Sequence, residues 1–351
     1  MEIRLPTLDR SDYERAQRRL DSLTKPRGSL GYLEEIAKKY VYITGELFPK
    51  LPLKKAVYVF AGDHGIVEEG VSAYPQEVTL QMILNFLAGG AGINAIARQA
   101  GADVFVVDVG AAGEVNDPRL IKRKVVWGTK NFLKEPAMSR EEAEKSLKVG
   151  LELAKEAARC GYQLLIPGEM GIGNTTPSAA VICALLDEPP EEIVGRGTGI
   201  DDQALARKRQ VVAEALSRYH FSDPLDVLAK VGGAEIGAIA GFFLGGASER
   251  VPVIIDGFIS LAGYVIAQAL EPRLKEFVFC GHCSTEKGAA RVIEKLNLRP
   301  IVDLDLRLGE GTGACLASMV VETALRVLTE MATFEDAGVT KGREFEEVDA
   351  S

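Results

Sequence analysis

Short, almost wholly apolar runs recur along this chain, and most of them stop at a glycine-bearing loop that leads into a helical pattern. The runs fall at residues 56–61, 103–109, 163–167, 251–256, 276–280 and 301–306. A strand with one wet face alternates apolar and polar residues, whereas a strand covered on both faces reads as a continuous apolar run. The repeated order of buried strand, loop and helix therefore predicts an α/β fold built on a parallel sheet. One crossover is legible in detail. Ser139-Arg140-Glu141-Glu142 has the form of a capping box, opening a helix that runs to about Cys160 with Gly161 as its stop, directly before the run at 163–167. Residues 8–50 differ, reading as helical, largely polar, and broken by Pro26-Arg27-Gly28-Ser29-Leu30-Gly31. The tail from Phe334 to Ser351 is charged and poor in apolar residues, which predicts a mobile end or a subunit contact.

Composition excludes several classes of partner. The chain of 351 residues carries 41 Lys+Arg against 50 Asp+Glu, a formal net charge of −9, with no basic block to neutralise the phosphates of a nucleic acid or an anionic membrane. A hydrophobic share of 47% at this length suits one large core or two domains. The N-terminal segment lacks the apolar region of a signal peptide, and no run of about 18 or more apolar residues suggests a membrane span, so the expected compartment is the cytoplasm. The 5 cysteines, odd in number and without framework spacing, read as reduced thiols.

The loops carry the chemistry. Ala61-Gly62-Asp63-His64-Gly65, Gly168-Glu169-Met170-Gly171-Ile172-Gly173-Asn174, Gly257-Phe258-Ile259-Ser260, Gly281-His282-Cys283-Ser284 and Gly309-Glu310-Gly311-Thr312-Gly313 each follow an apolar run. In an open α/β sheet these strand ends line one edge, where ligands bind, and glycine lets backbone N–H groups approach them. Glu310 reads either as a proton acceptor at the rim of such a site or as a solvated carboxylate among turn glycines. In Gly171-Ile172-Gly173-Asn174-Thr175-Thr176-Pro177, Thr176 is the expected N-cap and Pro177 the first helical residue, which would make Gly171, Gly173 and Asn174 the approach to a phosphate-binding helix end. The alternative is a tight turn that simply needs glycine. The motif lacks both the Lys-Ser/Thr of a Walker A loop and GxGxxG spacing, so a phosphate monoester fits better than ATP or NAD.

Gly195-Arg196-Gly197-Thr198-Gly199 leads into a helix carrying Arg207, Lys208 and Arg209, read alone as a solvated helix face. Asp201 and Asp202 are explained by helix capping rather than by a metal pair. His64, His220 and His282 stand at no metal-ligand spacing to another His or Cys, so a zinc site is not expected; no cofactor is expected either. Cys280-Gly281-His282-Cys283 has dithiol spacing before a helix, and a thiol oxidoreductase is the competing reading. Against it, the motif lies late in a large sheet rather than at the start of a compact thioredoxin-like unit.

Leu23 to Gly31, the Ala61 to Gly65 loop, Val71-Ser72-Ala73-Tyr74-Pro75-Gln76-Glu77-Val78-Thr79, Gly168 to Thr176, Gly195 to Gly199, Asp256 to Ser260 and the Glu310 segment together resemble one family in order and spacing. It is the nicotinate mononucleotide:5,6-dimethylbenzimidazole phosphoribosyltransferase family of cobalamin assembly. The resemblance implies a Rossmann-like parallel sheet flanked by helices, a smaller helical domain from both chain ends, and a homodimer. The corresponding boundaries are 1–50, 51–313 and 314–351. It further implies transfer of the phosphoribosyl group of nicotinate mononucleotide to a ring nitrogen of a benzimidazole-type base, with inversion at the anomeric carbon, giving alpha-ribazole 5′-phosphate and nicotinate. It assigns the proton lost by the attacking base to Glu310, and implies that Ser72, Gln81 and Met82 line the base pocket. Glu169, Gly171, Lys208, Gly257 and Ser284 fall in the segments that resemble the nucleotide-binding ones, with Lys208 as the counter-charge to phosphate and Glu169 facing ribose hydroxyls or a backbone turn. The Cys280 to Cys283 loop departs from the family in its dithiol form.

Overall fold

The computed structural model describes residues 4–340, which form two compact units. One is Lys54–Met319 with the segment ending at Pro6, and the other is Thr7–Leu53 with the segment that begins at Val320.

The second unit holds α1 (Arg10–Ser22) and α2 (Tyr32–Thr44), separated by the Pro- and Gly-bearing break that the sequence marks. The Arg19 guanidinium donates to the carbonyls of Leu328 and Met331 at 3.1 and 3.0 Å, and Leu23 bridges antiparallel to Thr333, so residues from the two chain ends interlock. Lys25 and Glu34 pair at 2.8 Å with both side chains buried. Of the expected mobile tail, the Phe334 N–H donates to the Ser22 carbonyl at 3.0 Å, and residues 341–351 lie outside the described residues.

The first unit is built in chain order from β1 (Lys55–Gly62), α3 (Val78–Ala88), α4 (Gly92–Ala100), β2 (Ala102–Gly110), β3 (Ile121–Lys122), α5 (Arg140–Arg159) and β4 (Leu164–Met170). It continues through α6 (Thr175–Leu186), α7 (Pro190–Ile193), α8 (Asp202–Arg218), α9 (Pro224–Val231), α10 (Ala234–Ser248), β5 (Val253–Ile255) and α11 (Phe258–Leu270). Then follow β6 (Val278–His282), α12 (Ala289–Lys295), β7 (Pro300–Val302) and α13 (Thr312–Glu330), of which the last passes into the second unit's segment. All neighbouring strands pair in parallel, in the order β3-β2-β1-β4-β5-β6-β7. Each expected run contains a strand. The two-residue β3 has no apolar run behind it and was not legible in the sequence. The extended run expected at 301–306 stops at Val302, because Asp303 to Asp305 are exposed and Asp305 takes φ +56°.

Burial explains the central runs. Every residue of β1 is buried, and the Tyr58 ring lies 4.8 Å from that of Phe105 and 5.0 Å from that of Phe242. Helix α10, apart from Glu235 at its start, is apolar around its circumference through Ala247 because those residues are buried. Glycines on both helices let α5 and α10 approach backbone to backbone: a Cβ at Gly150 of α5 would sit 1.7 Å from the Ala238 carbonyl oxygen, and one at Gly241 of α10 1.8 Å from that of Leu147. The capping box of α5 forms as the sequence implies, with Glu142 N–H on Ser139 Oγ at 3.2 Å and Ser139 N–H on Glu142 Oε2 at 2.7 Å. Helix α6 starts earlier than expected. Asn174, not Thr176, is its N-cap, and Pro177 is the third helical residue.

Two stretches, Val78–Ala100 and Thr312–Glu330, are long and apolar enough to cross a membrane by length and composition alone. The first is two helices parted at Gly89, which has φ +80°. The second is interrupted by Glu322 and Arg326, which pair with each other at 3.2 Å.

Candidate active site

From β1 the chain builds outward through β2 and β3, then returns to the other side of β1 to build β4 through β7. Strand order thus reverses between β1 and β4, and a crevice opens at the carboxyl ends of strands where crossovers depart in opposite directions. At that point β1 is followed by Asp63 and His64, and β4 carries Glu169 next to its last residue.

Glu310 occupies this edge. It is buried, takes the left-handed φ of +62°, and rests its Oε2 on the Ile93 N–H at 3.0 Å. Ile93 is the second residue of α4, so the carboxylate sits at the positive end of a helix. Burial pushes the Glu310 carboxyl above its ordinary range, the amides of Ile93 and Gly92 pull it back, and the charge of Asp256 pushes it up again. The crowding is tight: a Cβ at Gly92 would lie 2.8 Å from Leu308 Cδ2 and 3.2 Å from Glu310 Oε2, and one at Gly168 only 2.3 Å from the Glu310 carbonyl oxygen.

Glu169 adjoins it. Its Oε1 accepts the Glu310 N–H at 3.3 Å, and its Oε2 accepts from Asn174 Nδ2 in a short bond. Burial raises its carboxyl to about 8, although both hydrogen bonds oppose the shift. Glu310, Glu169 and Asn174 are therefore one hydrogen-bonded chain. Gly171 belongs beside it because a Cβ there would lie 2.2 Å from the Gly62 carbonyl oxygen and 3.2 Å from His64 Nε2. Gly173, at φ +88°, turns the chain into α6. Behind them His64 Nε2 and Glu235 Oε1 are 2.7 Å apart and wholly buried. Burial disfavours the charged imidazole, but the carboxylates of Glu235, Asp63 and Glu169 together hold the His64 pKa above its ordinary value.

A second cluster surrounds Lys208. Against the expectation of a solvated helix face, Lys208 points inward, only 1% exposed, and its Nζ reaches Thr175 Oγ1 at 2.7 Å and the Gly195 carbonyl at 3.3 Å. Burial lowers its ammonium to about 8, with Glu286 acting in the opposite sense. Glu286 accepts the Gly197 N–H at 3.0 and 3.1 Å through its two oxygens, and its own N–H donates to Ser284 Oγ at 3.2 Å. Next to this loop lies a cavity of about 530 Å³ lined by Arg196, Arg209, Lys287 and Arg307 among others. Asp201 caps α8 by accepting the Ala204 N–H at 2.8 Å, as the sequence implies.

The remaining expected residues divide. Ser284 is buried and lies within 4.0 Å of the Cβ position of Gly257, so those two are brought together. The Ser72 loop is tied to the Lys208 side, with the Ala73 N–H donating to Thr198 Oγ1 at 3.0 Å. Gln81 is exposed and Met82 half-buried on α3, and among the described residues both stand outside the Glu310–Glu169–Asn174 chain. Cys280 and Cys283 are not disulfide-bonded, and burial raises the Cys283 thiol, the reverse of what a reactive thiolate needs. Among the described residues no group of His, Cys, Asp and Glu is placed to hold a metal ion. Gly92, Ile93, Asp256 and Glu286 received no role from the sequence. Only the Gly89-Gly90-Ala91-Gly92 run between two apolar helices signals the first pair, since it marks a helix start free of bulky side chains.

Comparison with known proteins is consistent along nearly the whole chain. A family model described as "Phosphoribosyltransferase" matches residues 5–339. The nicotinate-nucleotide--dimethylbenzimidazole phosphoribosyltransferase of Geobacter sp. (strain M21) is 53% identical over 340 residues, covering 96% of this chain and 97% of the relative. The protein of the same name from Geotalea uraniireducens (strain Rf4) is 55% identical over 331 residues, covering 93% and 94%. The crystal structure of CobT from Thermus thermophilus superposes with a TM-score of 0.91 at 51% identity, covering 95% of this chain and 100% of that one.

Proposed function

The chain belongs to the phosphoribosyltransferase family, and from that membership we propose that it transfers the phosphoribosyl group of nicotinate mononucleotide to a ring nitrogen of 5,6-dimethylbenzimidazole, giving alpha-ribazole 5′-phosphate and nicotinate for cobalamin assembly. The observation that carries this reading is the Glu310 carboxylate, buried at the reversal point of the sheet with its pKa displaced toward neutrality.

The reaction asks little of a catalyst at the leaving group. The nicotinate ring is cationic in the donor, and the electron pair of the breaking glycosidic bond neutralises it as it departs. The demand lies at the acceptor, where the azole sheds its N–H proton as its ring nitrogen bonds to the anomeric carbon. Glu310 takes that proton. Each carboxylate oxygen has two lone pairs, so the Ile93 amide leaves acceptor capacity for the azole, and a raised pKa makes the carboxylate a stronger base. Glu169, with a pKa near 8, carries a proton at pH 7 and can donate it in a hydrogen bond to a ribose hydroxyl. Lys208, Gly171, Gly173 and Asn174 hold the phosphate at the start of α6, where the helix end and the ammonium both favour an anion. Gly257 and Ser284 lie along the ribose, and Ser72, Gln81 and Met82 along the base. The enzyme acts as a homodimer in the cytoplasm.

The test is incubation with nicotinate mononucleotide and a panel of benzimidazoles, purines and phenols, with products identified by mass. A ribosyl phosphate adduct of the benzimidazole is expected. Binding of the mononucleotide with no adduct from any acceptor would overturn the reading in favour of a nucleotide sensor.

A further inference from the structure

Glu310 is not a glycine, yet it holds the left-handed backbone conformation that L-residues avoid. Something must fix that turn, and the turn itself, Gly309 to Gly313, has few side chains with which to do so. The fixing group comes from another strand. Asp256 follows β5 directly, is 1% exposed, and spans the loop with both oxygens: Oδ2 accepts the Gly311 N–H at 3.0 Å and Oδ1 the Ala314 N–H at 2.9 Å. Gly311 immediately precedes α13 and Ala314 is its third residue, so these are amides that the helix cannot satisfy internally. Asp256 thus does the work of an N-cap from 58 residues away in sequence.

Asp256 is itself anchored. Its N–H donates to the buried Ser260 Oγ at 3.1 Å, and His282 Nε2 lies 3.8 Å from its Oδ1. His282 also packs on the first turn of α13, where a Cβ at Gly313 would sit 2.0 Å from its ring.

We propose that Asp256 is a positioning residue for phosphoribosyl transfer: by tying down Gly311 and Ala314 on the far side of the turn, it holds Glu310 in the left-handed conformation that sets its carboxylate on the start of α4. This rests on the reading of Glu310 as the proton acceptor. Glu169 holds the same turn from the near side, through the N–H of Glu310. The ionisable groups around Glu310 are Glu169 on β4, Asp256 after β5 and His282 on β6, with His64 and Glu235 behind Glu169, while α4 presents the Gly92 and Ile93 amides. Of these, Asp256 is the one whose charge raises the Glu310 carboxyl.

The test uses Asp256→Asn, which keeps the shape and removes the charge, alone and combined with Glu310→Gln. In Asp256→Asn, kcat is expected to fall on the order of 10- to 100-fold, KM for nicotinate mononucleotide to stay within about threefold, and the acid limb of the kcat/KM profile to move to lower pH. The double variant should be no slower than Glu310→Gln alone, because Asp256 acts through Glu310. Wild-type turnover in Asp256→Asn, an unmoved acid limb, or a full extra penalty in the double variant would overturn the proposal while leaving Glu310 as the base. Wild-type turnover in Glu310→Gln would instead remove the base assignment. If Asp256→Asn does not fold, Ser260→Ala loosens the same carboxylate through its backbone. A several-fold loss of kcat at unchanged KM then supports the proposal, and wild-type kcat overturns it.

Discussion

The Glu310 turn and the Lys208 pocket are both lined by glycine and both hold a buried ionisable group, but they solve the burial problem in opposite ways. At the turn, Glu310 rests on the Ile93 amide, Glu169 accepts from Glu310 and Asn174, and Asp256 accepts from Gly311 and Ala314. These carboxyls shift upward through burial, and the amides limit the shift. At the pocket the Lys208 ammonium is held by one hydroxyl and one carbonyl, with Glu286 clamping the Gly197 loop rather than the ammonium itself. At the turn the carboxylates accept from neighbouring amides without any ligand. The pocket has a cation whose full counter-charge would arrive with a phosphate.

The sharpest way to break this comparison is at the turn. Glu310→Gln preserves shape and removes the base, so turnover should drop on the order of 100-fold or more while nicotinate mononucleotide still binds. Steady-state rates with a parallel binding titration measure it, and unchanged turnover would show that the turn is only structural. At the pocket, Lys208→Met should act on binding instead. Loss of a charge-assisted contact raises KM for nicotinate mononucleotide on the order of 10- to 100-fold, with a smaller change in kcat. A kcat defect at unchanged KM would place Lys208 on the chemical step.

Stability against pH separates the two regions without substrate. Glu169 has its pKa raised from 4.5 to about 8, so the folded protein binds a proton that the unfolded chain has lost, and this contribution, full below pH 4.5, fades as pH rises to 8. Lys208 is lowered from 10.5 to about 8, so its contribution is full above pH 10.5 and is lost as pH falls toward 8. These two groups therefore give the free protein a stability minimum near pH 8, with limbs of at most about 1.4 kcal/mol per pH unit each. Urea unfolding across pH should find that Glu169→Gln flattens the acid-side limb and Lys208→Met the alkaline one. A profile unchanged by either substitution would mean that the two groups titrate alike in folded and unfolded chains. The smallest effect is expected at Cys283→Ser, where turnover should stay within about twofold because the thiol is raised rather than activated. A large loss there would revive a thiol role.

Much of this architecture is legible in the sequence. Continuous apolar runs located the strands because a sheet covered on both faces leaves no room for polar residues, and the Ser139 to Glu142 box located the start of α5 because its two hydrogen bonds are local. Asn174 shows where local reading fails. Thr176 directly before Pro177 matches the local pattern of a cap followed by proline at the first helical position, but the helix begins earlier, with Asn174 at the cap position and its side chain on Glu169. Lys208 shows the same failure for charge. Three successive cations read as a wet surface, and only the packing of α8 turns the middle one inward.

By itself the sequence determined the parallel α/β class, the glycine loops at strand ends and Glu310 as a candidate, all of which depend on periodicity and on residues adjacent in the chain. Tertiary structure alone decided that the strand order reverses between β1 and β4. It alone brought the amides of α4 to Glu310 across 217 residues and Asp256 to the start of α13. These are contacts between distant segments, and their partners are backbone amides, which every residue but proline carries and no sequence pattern can mark.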